Sequence, residues 1–267
     1  MFKYLTSGCV FASLLVLTGC NDDDNGGKKF YFPKNAIEVT YGETADLNLN
    51  YTSAKLPTYE SDNEYAVSVD NWGTVTGELA GTAKITATSY DGQQTDTCIV
   101  TVVPTTSVFA DPYLPFGVTS KKILKYEDRE LIYMDTTLMF FAGENQYIDE
   151  VYYLFDDAKR YEMCYFFLPN TSSVDFKVSE HLTQRFYYAG KDTDGTQVFY
   201  NQDAIVGKWV DETYNEIVLA FIPMEENTGA SGVSALASPT LRASKGKLNV
   251  VKETMDTVVK PGSSKSR

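Results

Sequence analysis

Histidine and cysteine are scarce in this chain of 267 residues, which has one histidine, His181, and four cysteines. Metal centres and nucleophilic active sites are built largely from these two residue types, so the sequence offers little material for either. No phosphate-binding loop, Gly-x-Ser-x-Gly motif or zinc-ligand spacing occurs. We therefore predict a protein that is not an enzyme, with no catalytic residue, no bound metal and no cofactor.

Positive charge is also in short supply, because 23 Lys and Arg residues face 36 Asp and Glu residues, a net charge of −13. Nucleic-acid binding requires clustered Lys and Arg to neutralise phosphates, so no nucleic-acid partner is expected. Hydrophobic residues make up 43% of the chain and charged residues 22%, as in ordinary globular proteins. The length predicts one or two domains.

Three groups of residues resemble parts of functional sites, and each has a plainer interpretation. His181 falls on a predicted short helix, where a structural, half-buried role is favoured over that of a catalytic base. Residues 192–195 resemble the start of a calcium loop but lack its closing glutamate, which favours a hairpin turn. Glu150, Asp156 and Asp157 are carboxylates such as glycosidases use, yet a turn between strands explains them.

Residues 1–20 predict a secretory signal, with one lysine followed by a short apolar run over residues 9–17. The ending, Leu17-Thr18-Gly19-Cys20, resembles the lipobox of bacterial lipoproteins. That resemblance implies removal of residues 1–19 and acylation of Cys20, with the membrane as partner through the lipid. An ordinary signal peptide with a chance cysteine is the alternative.

Residues 21–29 are polar, acidic and glycine-rich, which predicts a flexible tether of at most about 30 Å. Its aspartate run, residues 22–24, resembles the surface-export signal of lipoproteins in the Bacteroidota, which implies the outer face of the outer membrane. A solvated spacer without sorting meaning is the alternative. With Cys20 acylated, only Cys98 and Cys164 remain beyond the signal, and we expect both to be free and buried.

Short apolar stretches separated by turn residues fill residues 30–104. No helix-period segment interrupts their alternation, which predicts an all-β sandwich. The sequences Gly-Thr-Val-Thr-Gly at 73–77 and Ala-Gly-Thr-Ala-Lys-Ile at 80–85 resemble the group 2 bacterial Ig-like domain. This resemblance implies a surface protein or adhesin, in which the module is often a stalk. Tyr59 stands where that family usually has tryptophan, and we expect it to fill the same core position.

Aromatic residues are dense beyond this stretch, since roughly one position in five over residues 113–224 is Tyr, Phe or Trp. Leu-Pro or Ile-Pro pairs recur at equal intervals, at 114–115, 168–169 and 222–223. This recurrence predicts a duplicated unit of about 54 residues in which Phe155 and Trp209 fill equivalent core positions.

Residues 225–267 are of low complexity and basic, and a mobile end is favoured over a tail that touches an acidic surface.

The pattern in residues 113–224 predicts an α+β domain with an antiparallel sheet and helices on one face. Helices are expected over 119–131 and 179–186, the first with Ile123, Leu124 and Leu131 toward the core and its charged residues in water. A strand is expected over 174–178. The element order weakly resembles the tandem α-β repeat of β-lactamase-inhibitor-like and small outer-membrane lipoprotein folds, and no binding residue carries over from it.

Broken alternation in Tyr152-Tyr153, Tyr165-Phe166-Phe167 and Phe186-Tyr187-Tyr188 predicts that some rings face solvent, although packing on two sheet faces gives the same pattern. The sequence thus predicts a lipid-anchored surface protein of the outer membrane, with an Ig-like stalk and an aromatic head that binds a glycan or a surface protein. Its ligand-binding residues remain unknown. The alternative is a periplasm-facing structural or inhibitor-type lipoprotein that binds an envelope protein.

Overall fold

The computed structural model describes residues 29–192 and 194–224. The signal, Cys20, nearly all of the tether and the basic tail lie outside the described residues. None of the helices in the described ranges is long and apolar enough to cross a membrane.

The first region consists of nine strands. β1 and β4 form a two-stranded sheet, β2-β9-β8-β5 a four-stranded sheet and β3-β7-β6 a three-stranded sheet. The strands are β1 (Phe30–Tyr31), β2 (Ala36–Thr40), β3 (Thr44–Asp46), β4 (Asn50–Tyr51), β5 (Thr58–Ser61), β6 (Val67–Val69), β7 (Thr74–Gly77), β8 (Gly81–Thr88) and β9 (Thr95–Val103).

Side chains from the two larger sheets meet in one buried cluster. Val67 and Val75 come from the three-stranded sheet, and Ile85 and Val100 from the four-stranded sheet, and all four are inaccessible to solvent. Strands that alternate apolar and polar residues bury one face each, so two sheets packed face to face form a sandwich. The predicted all-β sandwich is confirmed. Tyr59 packs against this cluster, as its sequence position predicted.

The second region contains two helices and one eight-stranded antiparallel sheet, in the order β10-β11-β12-β13-β17-β16-β15-β14. The elements are α1 (Ser120–Tyr126), β10 (Leu131–Met134), β11 (Leu138–Asn145), β12 (Ile148–Phe155), β13 (Tyr161–Pro169), α2 (Ser172–Thr183), β14 (Tyr187–Lys191), β15 (Gln197–Tyr200), β16 (Ala204–Asp211) and β17 (Glu216–Pro223). Alternate residues of its strands divide between two buried clusters, one on each face. The first cluster includes the buried apolar residues of both helices, whereas the second contains none.

Both helices differ from their predicted spans. α1 ends at Tyr126 because the chain turns Glu127 and Arg129 inward, where their side chains are 5% and 3% exposed rather than in water. Leu124 and Leu131, expected in the core, are each about 40% exposed, and only Ile123 is buried. These expectations were wrong because the helix ends before Glu127, and the residues predicted to form its last turn instead hold the buried ion pair of Glu127 and Arg129.

α2 begins earlier than predicted and replaces an expected strand. The Thr171 side chain caps it by accepting a hydrogen bond from the backbone N–H of Val174 at 3.2 Å. Val174, Val178 and Leu182 are buried on one helical face. The sequence Val-Asp-Phe-Lys-Val at 174–178 alternates like a strand, yet positions four apart also share a helix face, and the helix prevails.

The element order of the sheet is symmetric about its centre. Each half has one helix followed by four strands, and the last strand of each half, β13 and β17, lie side by side. A duplicated unit with an approximate twofold axis between these strands predicts this order. The order supports the duplication, which stays a proposal.

The alignment that pairs Phe155 with Trp209 is wrong for individual side chains. Phe155 belongs to the first cluster and Trp209 packs against the second, so they lie on opposite faces, and Leu168 and Ile222 are separated in the same way. Side chains alternate between the two faces along a strand. Because the even spacing of 54 residues pairs side chains on opposite faces, equivalent positions in the two halves must be an odd number of residues apart. An alignment shifted by one position pairs Leu154 with Trp209, which both lie against the second cluster.

Candidate ligand-binding surfaces and the domain junction

The aromatic runs of the second region lie inside it. Tyr152, Tyr153, Tyr165, Phe166 and Phe167 are each at most 2% exposed. Neighbouring residues of a strand point to opposite faces, and here both faces are buried. The expectation that broken alternation turns some rings outward is therefore wrong for these five. Two buried faces produce the same sequence pattern.

The exposed large aromatic side chains lie elsewhere. In the first region, Trp72 at the β6–β7 turn is 74% exposed and Tyr90 at the β8–β9 turn is 64% exposed. In the second region they are Tyr126 at the end of α1, Phe176 on α2 and Tyr188 on β14. Of these, the predicted aromatic runs included only Tyr188.

One cleft, of about 340 Å³, lies in the first region beside the start of the described chain. Tyr51 and Tyr90 line it, and the Lys55 Nζ lies 3.8 Å from the centre of the Tyr90 ring. This distance is within the range of a cation–π interaction. The remaining lining is largely polar and includes Ser53, Ser89, Asp91 and Gln94. Hydroxyl, amide and carboxylate groups beside rings suit a polar ligand with one flat face.

A second cleft of about 340 Å³ lies beside α1. The rings of Tyr113 and Tyr126 stack along it, with centres 5.0 Å apart and planes 10° apart. The lining also includes four acidic residues: Asp111, Glu127, Asp128 and Glu144. A stacked aromatic pair bordered by carboxylates offers an apolar ring edge together with hydrogen-bond acceptors.

Arg129 lines the second cleft and neutralises part of this acidity. Its Nη1 donates to both carboxylate oxygens of Glu127, at 3.0 and 2.8 Å, and its Nε pairs with Glu144. The guanidinium also lies 4.8 Å from the centre of the Phe166 ring. Burial lowers the pKa of Arg129, but the two carboxylates raise it more, so the side chain stays charged. This cluster is a structural support, because the guanidinium and both carboxylates compensate one another.

His181 lies in the junction between the two regions and is fully buried. Its Nδ1 accepts a hydrogen bond from the backbone N–H of Val108 at 3.2 Å, so Nε2 carries the proton and donates to Asp111 Oδ1 at 2.9 Å. Burial lowers the pKa of His181 below its usual value, although Asp111 opposes the shift. This geometry supports the structural role that the sequence favoured.

Asp111 is shared between His181 and Arg185. The Arg185 Nε donates to its second oxygen at 2.8 Å, and Nη1 donates to the carbonyl of Thr106 at 3.0 Å. Burial raises the pKa of Asp111, but the hydrogen bonds and charges of His181 and Arg185 lower it below its usual value. Residues 105–112 form the linker between the two predicted domains, and these contacts fix its residues 106–111 to the end of α2.

Gln184 fixes the rest of the linker. Its side-chain oxygen accepts from the backbone N–H groups of Thr105 and Thr106 at 2.7 and 3.0 Å, and its nitrogen donates to the Thr105 hydroxyl at 2.8 Å. The backbone N–H of Ala80 in the first region donates to the Gln184 carbonyl at 2.7 Å. Tyr65 of the first region contacts the ring of Tyr187 with centres 5.8 Å apart. Direct hydrogen bonds and ring contacts thus join the two regions.

The remaining candidate sites have local structural roles. Asp156 Oδ1 accepts from the backbone N–H of Arg160 in the β12–β13 turn, and Glu150 accepts from the Tyr152 hydroxyl. Asp192 Oδ1 accepts from the N–H groups of Asp194 and Thr196, as in a tight turn. Across the described ranges, no group of three or more His, Cys, Asp or Glu side chains gathers as a metal site would.

Cys98 and Cys164 are free and buried, as predicted. Burial raises the pKa of both thiols, well above the usual value for Cys164. Since the thiolate is the nucleophile, neither cysteine is activated at neutral pH.

By its fold the chain is therefore a modular protein, in which a β-sandwich is joined to a second region of two helices and one large sheet. Residues 37–100 match the family of the bacterial Ig-like domain (group 2), which confirms the predicted resemblance for this part of the chain. This module is non-enzymatic and fits a binding or structural role. A search of curated protein sequences finds no match.

A solved structure of domains 1–6 of the surface layer protein SbsC is similar at 12% identity, with a TM-score of 0.22. The similarity covers 75% of this chain and 26% of that chain, so the present chain spans about a quarter of its length.

Proposed function

We propose that this chain is a lipid-anchored surface protein of the bacterial outer membrane, in which the Ig-like domain over residues 30–104 is a stalk. Residues 113–224 form the head, an α+β domain with both helices on one face, which binds a glycan or another surface protein without catalysis. Cys20 is the anchor. The membrane is then a partner through acyl chains, and several chains on one cysteine suffice for stable attachment.

The path of the chain through the Ig-like domain carries this proposal. The Phe32 backbone N–H donates to Asp96 at 2.7 Å, so the chain enters beside the start of β9. β9 then runs from Thr95 to Val103, where the linker begins. At about 3.3 Å per residue, the seven steps from Asp96 to Val103 place the points where the chain enters and leaves the domain roughly 23 Å apart. A stalk requires this arrangement, with the tether at one end and the head at the other.

The junction supports the same role. The hydrogen bonds of Gln184 and the shared carboxylate of Asp111 fix the linker to the head. A head connected in this way keeps its orientation on the stalk, whereas a linker without such contacts would let it turn.

The anchor is tested by fractionation of cells that produce the complete chain with Cys20→Ser. We expect the variant to lose palmitate labelling and to leave the membrane fraction. Cys9→Ser is the matched control, because Cys9 lies within the predicted signal and its loss changes neither result. A Cys20→Ser protein that still carries label and sediments with membranes contradicts the anchor.

Binding is tested on a glycan array, with the second cleft as the candidate site. Tyr126→Ala should reduce the signal, because it removes the exposed ring of the stacked pair. Phe176→Ala is the matched control, since Phe176 is also an exposed aromatic on a helix but does not line the cleft. Equal loss in both variants assigns binding elsewhere.

A second candidate is the periplasm-facing lipoprotein that binds an envelope protein. The edge strand β10 favours it, because Leu131, Ile132 and Met134 expose 39–46% of their surface on a strand with one neighbour in the sheet. Exposed edge strands add a strand from a partner. Capture of an envelope protein that is lost in Ile132→Lys, without a glycan signal, supports this candidate over the first.

A further inference from the structure

The second cluster covers one face of the eight-stranded sheet, and its side chains are enclosed. Tyr165, Phe167, Val218 and Ala220 are 0% exposed. Every described member of the cluster belongs to the sheet, except Met224, which follows its last strand. A sheet face becomes inaccessible only when a second layer packs on it. Within the described ranges no helix or strand supplies that layer.

We propose that residues 225–267 form the missing layer. Met224 packs against the second cluster, so the chain that follows it begins on this face. At about 3.3 Å per residue, the chain from Met224 to Leu248 reaches roughly 80 Å, while eight strands at about 4.8 Å spacing span only about 34 Å. The segment is long enough to lie across any part of the face.

The sequence of the segment has the apolar pattern that such a layer needs. Leu248, Val251, Met255 and Val258 follow one another at intervals of three or four positions. This spacing places them on one side of a helix, and the proline and glycine at 261–262 are typical helix-ending residues. Residues 248–258 therefore offer one apolar stripe, the complement of an apolar sheet face.

Charge favours the same pairing. Asp211 and Glu216 are cross-strand partners near one end of the covered face, and adjacent like charges on a sheet are unfavourable. Residues 225–267 carry seven basic and four acidic residues, a net charge of +3. A basic layer over this end of the face stabilises the acidic pair.

Zero-length carbodiimide coupling of the complete, unmodified chain tests the proposal, since it joins only amines and carboxylates in contact. We expect amide bonds within the monomer between lysines 245, 247, 252 or 260 and the carboxylates of Glu150, Asp211 or Glu216. The proposal is overturned if these links are absent. Links found only in covalent dimers also overturn the proposal, because they would show that the segment of a second copy covers this face.

Two neighbouring valines provide a matched pair of variants in the complete chain. Val251 lies on the stripe, whereas Val250 falls about 100° away from it on a helix. With Trp72→Phe in both, Trp209 is the remaining tryptophan and reports on the face against which it packs. Val251→Asp should increase acrylamide quenching of Trp209 and produce binding of a hydrophobic dye, while Val250→Asp changes neither. Equal effects of the two variants contradict the proposal, and the coupling experiment decides it if Val251→Asp does not fold.

Discussion

The two regions use aromatic residues in different ways. The core of the Ig-like domain is mostly aliphatic, with Val67, Val75 and Ile85 beside two phenylalanines, while its Trp72 and Tyr90 extend into solvent. The largest fully buried side chains of the second region are mostly tyrosine and phenylalanine. Aromatic density in this chain therefore marks a sheet with two buried faces, and the rings exposed to a ligand are few, on turns, on the two helices and on β14.

The two cores can be followed separately, because each contains one buried free cysteine. Cys98 lies in the Ig-like domain and Cys164 in the second region. A thiol reagent modifies each only when its own region opens, so labelling at increasing denaturant concentration gives two unfolding curves from one sample.

The largest effect is expected for Phe166→Ala. Phe166 is fully buried, contacts Phe109 and Phe221, and lies under the Arg129 guanidinium. Truncation of a buried phenylalanine costs about 3–5 kcal/mol, so the Cys164 curve should shift to much lower denaturant. The Cys98 curve should move far less, because that core shares no side chain with the first cluster. Equal shifts would mean that the regions unfold as one unit.

Gly73→Ala should have the next largest effect, on the Cys98 curve. Gly73 has φ +82°, and an added Cβ would lie 2.8 Å from the Tyr59 ring. Overpacking of this kind costs about 1–3 kcal/mol in addition to backbone strain. Gly42→Ala is the matched control, because Gly42 also has positive φ but nothing within 4 Å of its added Cβ. An equal loss in both variants would show that Tyr59 moves aside freely.

A smaller effect is expected from acid on the junction. His181 has a lowered pKa, so below about pH 6.5 the unfolded chain binds more protons than the folded chain, and stability falls as pH decreases. Protonation of Nδ1 also removes the acceptor for the Val108 N–H. The free energy of unfolding of the second region, followed at Cys164, should be lower at pH 5 than at pH 7. Because the chain has one histidine, His181→Gln should remove most of the difference in unfolding free energy between pH 5 and pH 7. If the variant keeps the full difference, carboxylates rather than His181 cause it.

The smallest effect on stability is expected for Trp72→Ala. Trp72 is 74% exposed at a turn, and exposed substitutions usually change stability by less than about 0.5 kcal/mol. Both cysteine curves should therefore coincide with those of the unaltered chain. A clear shift of the Cys98 curve would show that the ring packs on its own domain and is not free for a partner.

The Ig-like domain could be predicted closely from the sequence because each of its strands buries one face, and alternation records that directly. Residues 73–77 and 80–85 also carry a family pattern, which the match over residues 37–100 confirms. The second region was harder, since strands buried on both faces lose alternation. The stretch 174–178 shows why the first turns of α2 were missed, because Val174 and Val178 fit both the strand period and the helix period.

The junction could not be predicted from the sequence. His181 and Asp111 lie far apart along the chain, and only the fold brings the imidazole to the carboxylate. Glu127 and Arg129 were expected in water for the same reason. Arg129 also pairs with Glu144, which lies on β11 and is distant in the sequence. No local pattern records such long-range partners.

Trypsin treatment of intact cells that produce the complete chain tests the proposed surface exposure. The tether contains Lys28 and Lys29, so cleavage there should release the Ig-like stalk and head while the outer membrane is intact. Lys28→Gln/Lys29→Gln is the control and should delay release without changing the amount of protein at the membrane. Protection of residues 30–224 until the outer membrane is permeabilised would contradict the surface-exposed stalk and head.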